Sequence, residues 1–348
     1  MAKIRVLIVD DSAVVRTILS DALGKDPEIE VVGAAQDSYV AREKIVQLRP
    51  DVITLDVEMP RMDGITFLRK LMAAKPMPVV MVSALTQSGA ATTLAAMDAG
   101  AVEIVAKPQI DQRVGVREIE TEVVDKVKAA AGANMALYMA KLRLSASYKP
   151  VTKPTSAMIR TTDKLLAIGA STGGTEALKE VLVQMPADSP GALIVQHMPE
   201  GFTRAFSERL NALCAMQVAE ARDGDSVIPG RALIAPGNSH MSLRRSGAKY
   251  YVDVKQGPLV MRHRPSVEVL FQSVAKFGGA NAIGVMLTGM GNDGSTGMLE
   301  MKKAGAFNIA QDEESCVVFG MPKEAIKLGA VDKIVPLDKV PGAILDAI

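Results

Sequence analysis

The chain has 348 residues, enough for two domains at about 150 residues each. It is 48% hydrophobic and 23% charged, which excludes a disordered or fibrous chain. Lys and Arg total 40 against 39 Asp and Glu, a formal net charge of +1 that argues against nucleic acid as a partner. No apolar run approaches the roughly 20 residues that span a bilayer, so no membrane insertion is expected. Met1-Ala2-Lys3-Ile4-Arg5 runs straight into a strand-like segment, without the pattern of a signal peptide. Cys214 and Cys316 lack metal-type spacing and read as core thiols in a reducing compartment. A cytoplasmic protein is the expectation.

From the N-terminus, strand-like and helix-like runs alternate over 4–9, 14–23, 29–34, 39–48, 52–55, 65–75, 79–82, 90–99 and 103–106. The strands are near-continuous hydrophobic runs, as strands buried on both faces should be. Five βα units predict a parallel sheet with helices on both faces, whose ligands bind beyond the carboxyl ends of the strands. Asp10 and Asp11 stand at the end of the first strand, Asp56 at the third, Ser83 at the fourth and Lys107-Pro108 at the fifth. Three carboxylates in one crevice repel each other and call for a cation. A few oxygen ligands suit Mg²⁺. With the metal, Asp56 can act as a nucleophile toward a phosphoryl group, and Lys107 and the Ser83 hydroxyl can take the added oxygens. Any one of these residues alone reads as a cap or turn residue; their joint placement points to chemistry.

On these residues, 3–121 resembles the receiver domain of bacterial two-component response regulators. The resemblance implies a flavodoxin-like fold with a five-stranded parallel sheet and Asp56 as phospho-acceptor. It implies Asp10, Asp11, Asp56 and the backbone carbonyl of Glu58 as Mg²⁺ ligands, and Ser83 and Lys107 as the phosphate switch. The family's aromatic switch residue lies three before the lysine; here that position is Ile104.

Residues 118–131 are helix-compatible, Gly132 interrupts them, and 135–144 reads as a second short helix. The Pro-, Ser-, Thr- and Lys-rich stretch 145–156 cannot bury enough apolar surface to pack. The expected organisation is a receiver over 1–121, a linker over 122–158 and a second domain over 159–348.

In the second half an apolar run, 165–168, leads through Gly169-Ala170-Ser171-Thr172-Gly173 into a helix opening at Thr175-Glu176. This G-x-S-x-G turn exposes a serine hydroxyl ahead of a helix N-terminus, which suits a developing oxyanion. The competing reading is a dinucleotide loop, but Ser171 stands where G-x-G-x-x-G needs its second glycine. Further strands are expected over 192–195, 216–220, 232–234, 250–254 and 282–287, with 250–254 in a hairpin. Helices are expected over 202–213, 267–277 and 296–304. The expected class is again α/β, doubly wound and mostly parallel, with an antiparallel hairpin.

Ser171, His197 and Asp293 fall just beyond three of these strands. Serine needs a base and the base needs an orienting carboxylate. Of the other histidines, His240 lies in a turn-rich loop and His263 between two arginines. Taken alone, Asp293 reads as a helix cap. The order Ser, His, Asp differs from the Ser, Asp, His of α/β-hydrolases.

Through 168–174, 196–198, 235–241, 263–267 and 287–294, residues 159–348 resemble the catalytic domain of the CheB family of chemotaxis protein-glutamate methylesterases. The resemblance implies hydrolysis of methylated glutamates, and deamidation of selected glutamines, on chemoreceptor cytoplasmic helices. It implies Ser171 as nucleophile, His197 as base, Asp293 as orienter, and Thr172 and the Met290 N–H as oxyanion donors. A chemotaxis histidine kinase is the implied phosphodonor, and the resting receiver is expected to cover the cleft. No cofactor is expected in the catalytic domain, and a monomer is expected. The alternatives are a receiver-regulated general esterase and a non-catalytic interaction module. A transcription regulator would need a helix-turn-helix and a basic face, which the second half lacks.

Overall fold

The computed structural model describes residues 2–84, 87–107, 115–145 and 164–348. Pro108, the stretch 146–158 and the expected start of the second domain at 159 lie outside the described residues. The chain separates into two compact units, Met1–Leu142 and Arg143–Ile348.

In the first unit, strands β1 (Ile4–Val9), β2 (Ile29–Ala35), β3 (Val52–Asp56), β4 (Val79–Ser83) and β5 (Glu103–Ala106) form one sheet. Their order is β2-β1-β3-β4-β5 and every pair is parallel. Every residue of β3, β4 and β5 is buried, which is why these segments read as unbroken apolar runs. Helices α1 (Ala13–Gly24), α2 (Ser38–Leu48), α3 (Gly64–Ala74), α4 (Gln87–Asp98) and α5 (Gly115–Ala131) follow the strands in turn. Ser12, Asp37 and Asp63 each start a helix by accepting from its free N–H groups. Helix α5 buries Val123, Val127 and Ala130 and pairs Lys126 with Glu103 of β5 at 2.7 Å. Helix α6 (Met135–Ser145) buries Tyr138, whose hydroxyl donates to the Ala101 carbonyl at 2.5 Å.

The second unit holds a seven-stranded sheet in the order β14-β13-β12-β6-β7-β9-β8. Its strands are β6 (Leu165–Ala170), β7 (Gly191–Gln196), β8 (Gln217–Glu220), β9 (Arg231–Ile234), β12 (Ala282–Met286), β13 (Phe307–Gln311) and β14 (Lys333–Val335). All its pairs are parallel. The expected antiparallel hairpin, β10 (His240–Ser246) with β11 (Lys249–Lys255), stands apart as its own two-stranded sheet. Helices α7 (Gly174–Val183), α8 (Phe202–Leu213), α9 (Val267–Phe277), α10 (Ser295–Lys303), α11 (Met321–Lys327) and α12 (Val340–Asp346) complete the unit. Met241, Leu243 and Val252 of the hairpin share a buried core with Leu270, Phe271 and Val274 of α9 and Leu165 of β6. This packing fixes the start of α9 against the sheet, and burial of a side chain such as Phe271 is worth about 1.5–3 kcal/mol. Among the described residues no helix is long and apolar enough to cross a membrane.

The packing of α6 on the first unit is testable. Tyr138→Ala removes a fully buried ring and is expected to cost about 3–5 kcal/mol. Urea unfolding of the full chain should show that loss in the transition of the first unit, with the second transition unmoved.

Candidate functional sites

The carboxyl ends of β1 and β3 lie side by side, with Val9 opposite Leu55. Asp10, Asp11 and Asp56 each offer a carboxylate oxygen within 4.8 Å of the others. The Asp10 and Asp56 side chains are buried and Asp11 is exposed. Lys107 at the end of β5 reaches Asp56 Oδ2 at 2.7 Å and Asp10 Oδ2 at 3.6 Å. Its own N–H donates to the Ser83 carbonyl at 2.7 Å, so the lysine and the serine are fixed together. The Ser83 side chain is buried there. The Glu58 N–H donates to Asp56 Oδ1 at 3.1 Å. Ile104 is buried in β5, paired with Met81.

Burial pushes the Asp56 carboxyl up to about 6, against the hydrogen bond from Lys107. Burial likewise raises Asp10. It works to lower Lys107, but the hydrogen bond and charge of Asp56 and the charges of Asp10 and Asp11 hold the amine above its usual range. Among the described residues Asp10 Oδ2 has no hydrogen-bond partner closer than the Lys107 amine at 3.6 Å. A buried carboxylate oxygen without a close donor, beside a carboxyl raised by burial, fits the oxygen donor set of a hard cation such as Mg²⁺.

The second cluster lies at the ends of β6, β7 and β12. Ser171 follows β6 in a tight turn: its carbonyl accepts from the Gly174 N–H at 2.7 Å. Gly173 has φ +76°, a left-handed conformation that favours glycine, and a Cβ there would sit 2.7 Å from Val317. Across the crevice, a Cβ on Gly289 would lie 2.7 Å from the Cβ of Ser171, so bulk there would displace the serine. The Ser171 N–H donates to the Thr288 carbonyl at 3.0 Å and the Thr288 hydroxyl donates to the Thr172 carbonyl at 2.9 Å. These bonds tie the turn after β6 to the loop after β12.

His197 Nδ1 lies 3.1 Å from Ser171 Oγ, and His197 Nε2 lies 2.7 Å from Asp293 Oδ2. All three side chains are buried. With Nε2–H donating to the carboxylate, Nδ1 is left as acceptor for the Ser171 hydroxyl. Asp293 does cap a helix, though not the one that follows it. It accepts from the Ser266 hydroxyl at 2.7 Å, from the Val267 N–H at 2.7 Å and from the Glu268 N–H at 3.0 Å, all at the start of α9. Burial works to raise its carboxyl. The hydrogen bond and charge of His197, the charge of His263 and the Ser266 hydroxyl outweigh burial and hold it below the usual range. Thr172 is buried, and among the described residues no acceptor pairs with the Met290 N–H.

Three participants lie in or beside segments that carry the resemblance, 196–198 and 263–267, but nothing in the sequence gives them a role. Ser266 and the α9 N–H groups are 25–27 residues from Asp293, so no local capping pattern links them. Gln196 donates to the Ser171 carbonyl at 3.0 Å from the strand end before His197. The ring of His263 stacks on that of His197. His240 stays outside the cluster: its Nδ1 accepts from the Ser266 N–H at 3.3 Å and its Nε2 donates to the Pro258 carbonyl at 2.8 Å.

Residues 6–118 match the family model of the response regulator receiver domain, and residues 166–344 match that of the CheB methylesterase. A protein-glutamate methylesterase/protein-glutamine glutaminase of Syntrophus aciditrophicus is 58% identical over 346 residues, 99% of each chain. Another, of Rhodospirillum rubrum, is 57% identical over 357 residues, covering 99% of this chain and 98% of its own. The crystal structure of the Thermotoga maritima CheB methylesterase catalytic domain matches with a TM-score of 0.52 and 37% identity, over 53% of this chain and 98% of its own. Fold and matches together define a response regulator whose second unit is an enzyme domain. The chain belongs to the CheB family, the protein-glutamate methylesterase/protein-glutamine glutaminases.

The raised Asp56 carboxyl makes a pH prediction. Burial holds the folded Asp56 carboxyl up at about 6, whereas an unperturbed aspartate in the unfolded chain sits near 3.8. Between those values the folded state binds more protons than the unfolded one, so this group's contribution to stability falls as pH rises through the window. In divalent-free buffer the Asp56 carboxyl carbon should titrate near pH 6 by NMR; a midpoint below 4 would contradict the reading.

Proposed function

We propose that this protein hydrolyses glutamyl γ-methyl esters, and deamidates selected glutamines, on chemoreceptor cytoplasmic helices, under control of Asp56 phosphorylation. The row Ser171–His197–Asp293 carries the reading: an alcohol 3.1 Å from an imidazole whose far nitrogen is 2.7 Å from a buried carboxylate. A serine hydroxyl is a poor nucleophile without such a base.

Ser171 Oγ attacks the γ-carbonyl carbon as its proton passes to His197 Nδ1. The carbonyl oxygen takes the negative charge and faces the Met290 and Thr172 N–H groups, with the positive end of α7 behind the turn. The bond to the methoxy oxygen then breaks, and the proton on Nδ1 leaves with it as methanol. Water gives its proton to the same nitrogen and adds to the acyl carbon. The Ser171 Oγ–carbon bond breaks, Oγ recovers the proton, and glutamate is released. From glutamine the leaving group is ammonia. Asp293 stays ionised throughout, holding the Nε2–H tautomer and balancing the imidazolium.

In the receiver, Asp10, Asp11, Asp56 and the Glu58 carbonyl would hold Mg²⁺, which when bound supplies positive charge against the phosphoryl oxygens. Lys107 and the Ser83 hydroxyl take the remaining oxygens, and a chemotaxis histidine kinase is the phosphodonor. The unphosphorylated receiver holds the esterase back, and the added charge at Asp56 releases it. On this reading the protein works in the cytoplasm, as a monomer, on membrane-bound receptors.

Methanol release from methylated receptor membranes tests the chemistry. Ser171→Ala and His197→Ala are each expected to lower kcat by about 10⁴-fold or more. Asp56→Asn should stay at the low resting rate under phosphodonor, and residues 159–348 alone should exceed it. Equal low rates for these two proteins would sink the control by the receiver.

A further inference from the structure

We propose that His263 is a positioning residue for the Ser171–His197 pair, acting as a flat shelf beneath the imidazole of the base. The inference rests on the reading of Ser171 and His197 as nucleophile and base. The two rings lie with centroids 3.8 Å apart and planes within 16°, a face-to-face stack.

The backbone that delivers His263 is held on both sides. The Val260 N–H donates to the His263 carbonyl at 3.1 Å and the His263 N–H returns the bond to the Val260 carbonyl at 2.9 Å, closing a tight turn. Within that turn Met261 and Arg262 have φ of +50° and +70°, a left-handed conformation rarely adopted by residues with side chains. Past the turn, Arg264 donates through Nε to Asn238 Oδ1 at 2.8 Å and through Nη1 to the Gly257 carbonyl at 2.6 Å. Two residues further on, Ser266 is bound to Asp293 itself. The ring of His263 is thus carried on a braced support tied to the same carboxylate that holds His197.

The shelf answers a specific weakness of the row. Asp293 holds His197 at Nε2 and Ser171 Oγ meets it at Nδ1, and bonds made in the ring plane do little to resist motion out of that plane. A tilt swings Nδ1 away from Ser171 Oγ and costs the alignment on which proton transfer depends. A flat neighbour at stacking distance blocks the tilt on one face and keeps water off it.

The test uses the full-length protein and two readouts: methanol release from methylated receptor, and the rate at which a serine-directed organophosphonate labels Ser171. His263→Ala is expected to lower kcat and the labelling rate together by about 10–100-fold, with KM within about twofold. His263→Phe restores a flat face and is expected to bring both rates back to within about threefold of wild type. His263→Leu has bulk without a flat face and should behave like the alanine variant. Should the alanine variant not fold, the Phe and Leu pair carries the comparison. Wild-type labelling in the Ala or Leu variant, or a Phe variant no faster than Leu, overturns the proposal. Wild-type protein that labels at Ser171 but releases no methanol would instead overturn the substrate reading and leave the His263 comparison standing.

Discussion

The second unit depends on one buried carboxylate. Asp293 is 1% exposed, and an ionised group in that position costs several kcal/mol in lost hydration unless its oxygens are met by donors. They are met by the Ser266 hydroxyl and by two N–H groups left free at the start of α9, a place where backbone donors have no partner within their own helix. His197 takes the remaining direction. The orientation of His197 is thereby tied to the start of a helix packed in the core rather than to a loop alone.

The receiver crevice treats the same side chain in the opposite way. Asp56 is as buried as Asp293, but it receives one backbone N–H and a lysine and shares its space with Asp10, so burial wins and the carboxyl rises. Asp293 receives two backbone N–H groups, a hydroxyl and an imidazole, so the donors win and the carboxyl falls. The difference fits the roles proposed for them. A carboxyl proposed to receive a cation and a phosphoryl group gains nothing from being satisfied in advance. A carboxylate proposed to stay charged through a reaction has to be satisfied before it begins.

Most of the strands were legible because they lie buried on both faces and read as apolar runs. Legibility stopped where a strand carries buried amides. In β13, Asn308 donates to the Met298 and Ala330 carbonyls and Gln311 accepts from the Thr288 N–H, so polar residues interrupt a run that is nevertheless buried from Asn308 onward. The sequence pattern predicts no strand there, nor β14, α11 and α12 beyond it. His240 sits among turn-formers in the sequence, yet it opens β10. Helices α5 and α6 were visible from composition and spacing. What they pack against was not, since burial of Val127 and Tyr138 is decided by residues more than twenty positions away. For the candidate site, the residues at strand ends could be named, while the donors around Asp293 and the ring under His197 come from other parts of the chain.

Both clusters sit where they do for a topological reason. In the first sheet the chain starts at β1, moves outward to β2, then returns to the other side as β3, leaving a gap above the ends of β1 and β3 where successive connections diverge. Asp10 and Asp56 stand at that gap. In the second sheet β6 is central: the chain proceeds to β7 on one side and comes back to β12 on the other. Ser171 and Asp293 stand above that divergence, and His197 reaches them from the neighbouring strand end. Where connections part, no helix covers the strand ends, so polar side chains there can meet without being packed over. The alternative, a site on the faces of either sheet, would have to displace the helices that bury those faces. Parallel strands ending in Asp, Ser, His or Lys at such a divergence thus leave crevices open to chemistry in both units, and the residue types decide which chemistry each crevice holds.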